Sequence, residues 1–452
     1  MVALGRSFSA FLDRRLISIF LFGISSGFPW VMIGSALSAW LADEGLSRKA
    51  IGLFGAIFTV YSINFLWSPL LDRLRPLLLG QRRGWILMMQ CGIAICCLLM
   101  SQLNAGSDLF WMALCGLFIA IFSATQDIAI DGYRIDIIHA HESDKLSSGS
   151  SMATAGWWTG YGGLGAMPFF LVDATALSWS GSYLILAGVM GCLMLATLFA
   201  KEPDVDRESA HQKAMQYYYE QLGDRRHRRF STVTAWLSVT VAEPFREFFQ
   251  RNGVRLALSV LLFIFLFKIG EAFLGRMSIV FYKEIGFTNA DIGSYSKLLN
   301  WWVTIVFSLI GGAVNIRYGI YRGLMIAGIA MASSNLMFAW LAQVGPDTTL
   351  LATAVIIDGF TASWSTVAMV AFISLLCNRA FSATQYALMA SLSVAGRTLL
   401  ASSSGYIVDG LDGNWSAFFI LTALMVIPSL IFLFHLRHHI TRLEARYRDT
   451  AP

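Results

Sequence analysis

Charge is what this sequence has least of. Asp, Glu, Lys and Arg supply 13% of its 452 residues while hydrophobic residues supply 56%, whereas about a quarter of an ordinary soluble chain is charged. That scarcity excludes a soluble globular protein of this length, which would aggregate. Paired cysteines are also missing. Cys91, Cys96, Cys97, Cys115, Cys192 and Cys377 lie within or at the ends of apolar runs, with no paired spacing outside them and no accompanying histidines. A disulfide framework and a zinc site are thereby excluded, the cysteines read as packing residues, and neither metal nor cofactor is expected. Histidine is absent from the apolar runs, apart from His435 at the end of the last one. A proton relay inside them must therefore use carboxylates.

What is there is a succession of apolar stretches of roughly 20 residues, long enough to cross about 30 Å of hydrocarbon as helices. Twelve cores are read at 16–41, 50–71, 85–103, 109–130, 146–172, 179–200, 256–282, 292–314, 324–344, 350–377, 383–407 and 415–436. They lack strand-like alternation, and lipid tolerates no unpaired backbone group, so each is a helix and not a barrel strand. The expected fold is an all-α polytopic membrane protein of twelve transmembrane helices. Most of the 33 Lys and Arg residues fall in the loops that become cytoplasmic when the amino terminus is inside, with Arg48, Lys49 and Lys283 as outer exceptions. Both termini are therefore expected in the cytoplasm. No convincing cleavage site follows Arg14 and Arg15, so the first span is retained. The net charge of +5 comes largely from the inner loops and points to contact with anionic lipid, not to nucleic acid.

The halves repeat. Ser151, Ala155, Gly156 and Gly165 recur as Ser391, Ala395, Gly396 and Gly405, and the loop Gly45 to Gly52 is echoed by Gly286 to Gly293. Two six-helix repeats are the simplest account. They divide the chain into an N-terminal bundle at 1–200, a polar cytoplasmic connector at 201–253, a C-terminal bundle at 254–436 and a tail at 437–452. In the connector, Arg225 to Arg229 precedes a moderately apolar stretch, which suits either an amphipathic helix on the inner leaflet or a solvated loop.

Several charges sit where hydrocarbon should exclude them: Lys268, Glu271, Arg276, Lys297, Asp358 and Arg397 in the second half, and Asp127 in the first. A mid-membrane ion costs about 2.5–17 kcal/mol unless it finds a partner or a wet cavity. Lys268 and Glu271, three apart, share a helical face and can pair, and with Arg276 they are expected to look inward. Two cations remain in excess, which favours contact with an anionic cargo over mutual pairing alone. A guanidinium such as Arg397 suits bidentate capture of a carboxylate. Asp127 is the candidate for proton coupling, with neighbouring Gln126 placed to hold it by a hydrogen bond and Glu271 as a second acid. The alternative for Asp127 is an anchor for the inner gate through Arg73 or Arg134. Asp72, Arg73, Arg82, Arg83, Asp131, Arg134 and Asp136 cluster at the cytoplasmic mouth and read as gate residues. Trp157, Trp158 and Tyr161, with Trp301, Trp302 and Trp364 opposite, offer aromatic faces for sugar rings, although packing is an equally ordinary use for them. The run Gly160 to Gly165 lacks a Gly-Lys-Ser/Thr ending and reads as close helix packing, not a phosphate loop.

Two parallel six-helix repeats resemble the major facilitator superfamily, and the loop after the second span resembles its gate motif. More specific strings are Gly27-Phe-Pro29, Phe65 to Arg73, Arg82-Arg83-Gly84-Trp85, Ser123 to Ile128, Lys268-Ile-Gly270-Glu271, Cys377 to Tyr386 and Gly396-Arg397. Together they resemble the AmpG-like muropeptide permeases of Gram-negative inner membranes. The resemblance implies a central cavity with alternating access. It implies proton-driven import of N-acetylglucosaminyl-1,6-anhydro-N-acetylmuramyl peptides, within the cell-wall recycling that feeds β-lactamase induction. The partners so implied are a sugar-peptide and protons, with the protein a monomer in lipid. Asn64 stands where many relatives carry a lysine, and Tyr133 where they carry a tryptophan. Two rivals remain: a carrier of another bulky anion, such as a siderophore or an acyl-coenzyme A, and a polytopic acyl- or glycosyltransferase.

Overall fold

The computed structural model describes residues 13–46, 54–76, 79–138, 142–175, 177–205, 243–287, 291, 294–295, 299–401 and 403–449. Lys297 and the run Arg225 to Arg229 lie outside these residues. Among the described residues, eight helices are long and apolar enough to cross a membrane: Arg14–Leu41, Arg82–Met100, Leu109–Ile137, Trp179–Phe199, Val254–Glu284, Ile320–Val344, Thr348–Leu376 and Trp415–Ala445. They correspond to expected spans one, three, four, six, seven, nine, ten and twelve.

Spans two, five, eight and eleven, which hold matching places in the two halves, do not pass that test. Span two is a chain of short turns, Gly55–Phe58, Thr59–Ile63, Asn64–Leu66 and Ser68–Arg73, the last restarted by Pro69, whose missing N–H costs nothing in a first turn. Span five runs as Ser143–Trp158, then a π-helical turn Thr159–Gly163, then Leu164–Ala166 and Met167–Thr175. A Gly-rich stretch resists departure from an ideal helix least, because it carries the least side-chain packing and the greatest backbone freedom. Span eight is described as Asn300–Tyr318 and span eleven as Ser382–Ala401 followed by Ser404–Gly410. These same spans form the junction between the halves: five packs on eight and ten, and eleven packs on two and four.

Within each half the packing repeats. A Cβ on Gly156 would collide with the Phe20 carbonyl of span one, and a Cβ on Gly396 would collide with the Phe265 carbonyl of span seven. Only glycine permits either approach. Gly160, inside the run that superficially suggests a phosphate loop, is pressed against the Ile24 carbonyl in the same seam. Gly165 and Gly405 are not equivalent, since Val31 crowds the first and nothing approaches the second. At the far end of each half a carboxylate ties two spans together. Trp179 Nε1 donates to Asp43 at 2.7 Å, and Trp415 Nε1 donates to Glu284 at 2.8 Å.

The other end of the bundle carries Arg14, Arg82, Lys145 and Arg251 and is called the basic end below. There the helix Glu243–Asn252 leads into span seven. It is clamped to the start of span eleven: Gln385 donates to the Pro244 carbonyl at 2.9 Å and to Glu247 at 2.7 Å, Asn378 donates to Glu247 at 2.9 Å, and Arg251 donates to the Leu376 carbonyl at 2.6 Å.

Candidate functional site

In the first half the site is built around Asp127 on span four. Its Oδ1 accepts from Ser26 Oγ of span one at 2.7 Å. Gln126 does not hold it as expected, because adjacent helical residues point about 100° apart. The Gln126 amide instead donates to the Ser25 carbonyl at 2.8 Å and to Ser25 Oγ at 3.2 Å. Ser25 Oγ also accepts from Gln90, and Gln90 from Thr197, so Gln126 belongs to a buried strap joining spans one, three, four and six. Neither Arg73 nor Arg134 ion-pairs with Asp127, so the gate-anchor alternative for this carboxylate is not what the structure contains. Arg73 is half-buried and forms no ion pair among the described residues, while Arg134 pairs with Asp131 at 3.0 Å.

Beside Asp127 stands an aromatic wall that sequence reading placed only in part. Trp157 and Tyr161 stack with centroids 5.0 Å apart, and Trp158 meets Trp157 at 5.3 Å. Trp30 reaches Trp157 at 5.8 Å and Tyr61 at 4.4 Å. Trp30 Nε1, Tyr61 OH and Ser123 Oγ are buried beside it, Trp30 Nε1 towards the Asp127 carboxylate and Tyr61 OH towards Ser123, with Tyr61 also in electrostatic range of Asp127. A hydroxylated ring entering here finds aromatic faces, two donors, a hydroxyl and a carboxylate. Trp30 and Tyr61 carried a signal in retrospect, since Trp30 lies one helical turn after Ser26 and so shares its face.

In the second half, span seven breaks at Lys268, between Val254–Leu266 and Ile269–Glu284. The ammonium pairs with Glu271 at 2.8 Å, as the spacing predicts, and donates to Thr366 Oγ1 of span ten at 2.6 Å. Asp358, one face along span ten, lies within electrostatic range of Glu271 and Lys268 and accepts from Ser334 at 3.1 Å. Arg397 is exposed but within electrostatic range of Lys268. Lys268, Glu271, Asp358 and Arg397 are thus brought together. Arg276 is not: it is exposed and has no ion pair among the described residues, because 80° of helical rotation carries it off the Lys268 face. Trp364 is also no free aromatic face. It is buried, donates to Asn315 Oδ1 at 2.8 Å and packs on Gly311. Trp301 bridges the halves, its indole against Gly162 and its Nε1 donating to the Trp158 carbonyl at 3.2 Å.

The basic end is closed across the halves. Arg82, fully buried, pairs with Asp72 at 2.6 Å and with Asp136 at 2.8 Å. Both carboxylates continue into span eleven: Asp72 accepts from the N–H of Thr384 at 2.8 Å and from its hydroxyl at 2.7 Å, and Asp136 accepts from Ser382 Oγ at 2.8 Å. Arg134 donates to Ser374 of span ten at 2.7 Å and sits 4.8 Å over the Tyr386 ring. Nearer the middle, Ser391 donates to Asn64 at 3.3 Å. Arg83 departs from the gate grouping. It donates to the Thr197 and Leu198 carbonyls and so caps span six of its own half. The serine and threonine at 382 and 384, which donate to Asp136 and Asp72, were missed, because a helix start that donates to carboxylates 246 and 312 residues away has no local signal.

The family model described as the Major Facilitator Superfamily matches residues 19–300. The chain is 32% identical over 424 residues to the anhydromuropeptide permease of Escherichia coli K12, covering 94% of this chain and 80% of that one. It is 31% identical over 429 residues to a protein of Rickettsia conorii named as transporter AmpG 4, covering 94% and 97%. Among solved structures, the proton:xylose symporter XylE bound to 6-bromo-6-deoxy-D-glucose superposes with a TM-score of 0.64 at 14% identity, covering 94% and 96%. The human organic anion transporter MFSD10 superposes with a TM-score of 0.59 at 16% identity, covering 93% and 99%. At these identities the structures speak to the fold alone.

Proposed function

We propose that this chain, which belongs to the AmpG-like permeases of the major facilitator superfamily, imports anhydromuropeptides into the bacterial cytoplasm by proton-coupled alternating access. That it is a multi-pass membrane transporter, and not a transferase, follows from the membership itself. The cargo, the direction and the coupling are our reading. The observation that carries it is the pairing of an aromatic, carboxylate-bearing wall in one half with a cluster of Lys268, Glu271, Asp358 and Arg397 in the other. A sugar-peptide presents just this division, with apolar ring faces on one side and carboxylates on the other. In this reading Trp157, Tyr161, Trp30 and Tyr61 meet the sugars, Lys268 and Arg397 meet the carboxylates, and Asp127 exchanges the coupled proton while Ser26 holds its Oδ1. The protein lies in the inner membrane as a monomer, with the basic end and both termini in the cytoplasm. Two bundles, 1–200 and 254–436, rock about the junction of spans two, five, eight and eleven.

The test is uptake of labelled anhydromuropeptide into proteoliposomes with and without an inward proton gradient. Accumulation is expected only with the gradient, and Asp127→Asn is expected to abolish it while binding persists. Uptake of a different bulky anion with none of the muropeptide overturns the cargo, and unchanged accumulation in Asp127→Asn overturns the coupling role.

A further inference from the structure

A cavity of about 300 Å³ opens at the basic end, away from the junction between halves and from the residues given to cargo. Arg14, Arg15, Ser18, Tyr133, Phe199 and Lys201 line it. Two of its cations have no ion-pair partner among the described residues. Arg15 is consumed by Asp13 and Glu142, each at 2.8 Å, and Lys145 closes the same cluster at 2.8 Å and 2.6 Å. The Arg15 guanidinium holds the Asp13 carboxyl well below the usual carboxylate range, so the cluster is two cations against two anions. Arg14 and Lys201 are exposed and form no ion pair among the described residues. Glu202 forms no ion pair with either among the described residues, and its two oxygens accept the backbone N–H groups of Arg82 and Arg83 at 2.8 and 3.0 Å. Asp204 forms no ion pair with either cation among the described residues.

The walls say what kind of anion fits. Phe199 is 76% exposed, and Ile17, Leu195 and Leu198, within two turns on the same two spans, are 43%, 53% and 44% exposed. Apolar side chains left bare on the outer surface of membrane spans meet acyl chains, and the cations stand just beyond them, at headgroup depth. A free phosphate would use the cations and leave the apolar flank without purpose. We propose that this cavity is a headgroup site for an anionic phospholipid, with Arg14 and Lys201 on the phosphate and the acyl chains along Ile17, Leu195, Leu198 and Phe199. The site bears on the closed end. Tyr133 OH donates to the Lys201 carbonyl at 2.9 Å, and Tyr133 shares span four with Asp131, Arg134 and Asp136. On the orientation proposed above, the lipid belongs to the inner leaflet, and that clause alone rests on the proposed function.

Native mass spectrometry of the full chain, purified in detergent and titrated with phosphatidylglycerol or phosphatidylcholine, tests the site without any cargo. Each cation near a headgroup is worth roughly fivefold, so a preference for phosphatidylglycerol on the order of 25-fold is expected. Arg14→Gln with Lys201→Gln should remove it without moving the unfolding temperature in phosphatidylcholine. Lys201→Gln alone, the fallback if the double variant folds poorly, should remove about fivefold. Equal retention of the two lipids by the wild-type chain, or an undiminished preference in the variants, overturns the proposal. So does displacement of phosphatidylglycerol by glycerol 3-phosphate at matched concentration, which would assign the cavity to a soluble phosphate. Failure of muropeptide uptake leaves these outcomes unchanged.

Discussion

The two halves share a fold and a glycine seam, yet they handle charge in mid-membrane by opposite means. The first half holds one carboxylate, Asp127, with a hydroxyl as its hydrogen-bond partner and aromatic rings around it. The second half holds Lys268 against Glu271, with Asp358 and Arg397 in range, and secures the ammonium further on Thr366. A lone acid on a hydroxyl can gain or lose its charge without breaking an ion pair. A paired network cannot, because removing one member leaves another buried without compensation. The difference teaches that duplication fixed the scaffold and left the chemistry free to diverge, with titration suited to one repeat and anion capture to the other.

The comparison is broken or sharpened by stability as well as by transport. The largest effect is expected from Lys268→Met, which strands Glu271 beside Asp358. A loss of about 3 kcal/mol is expected for a mostly buried pair, read as a lowered thermal unfolding midpoint, and adding Glu271→Gln should recover part of it. If the double variant is no more stable than the single one, the pair is not the unit described. Next comes Trp157→Ala, which removes the central ring of the wall and should cost about 1–3 kcal/mol of sugar binding, measured by titration with a neutral saccharide fragment. Asp127→Asn should change the unfolding midpoint by less than the equivalent of about 1 kcal/mol, because the amide retains a partner in Ser26. An effect as large as that of Lys268→Met would erase the contrast between halves. Smallest in stability is Arg397→Ala, an exposed site, where the expected loss is in affinity for carboxylated ligand over a neutral analogue. Equal loss for both would return this residue to packing.

Much of this was legible from residues alone. Apolar run length places eight of the spans, because hydrocarbon thickness sets a minimum length for each, but it does not foresee the breaks in spans two, five and eleven. The repeat places Gly156 and Gly396, because a glycine forced by backbone contact leaves the same letter in both copies. The i, i+3 spacing places Lys268 on Glu271. What escaped follows from the same physics. Trp364 looks like a ligand face until Asn315, 49 residues earlier in the chain, claims its N–H. Gln126 looks like a partner for Asp127 because sequence adjacency resembles proximity, and on a helix it does not. The four residues Ser-Ala-Thr-Gln occur at both 123–126 and 382–385. In the first they lie inside a helix and turn Gln126 to Ser25, and in the second they open a helix and donate to Asp72 and Asp136. Identical letters do unrelated work because tertiary partners, not local propensity, decide it.

The tryptophan straps at Asp43 and Glu284 bind each half to itself, whereas the bonds from Asp72, Asp136 and Arg134 bind one half to the other. Parting the molecule at the strapped end leaves both straps intact, while parting it at the basic end severs a buried ionic lattice. The two doors therefore differ in stiffness. On the function proposed above, the door at the basic end yields only when something bound between the halves compensates for its broken bonds, which would make an empty carrier a poor leak.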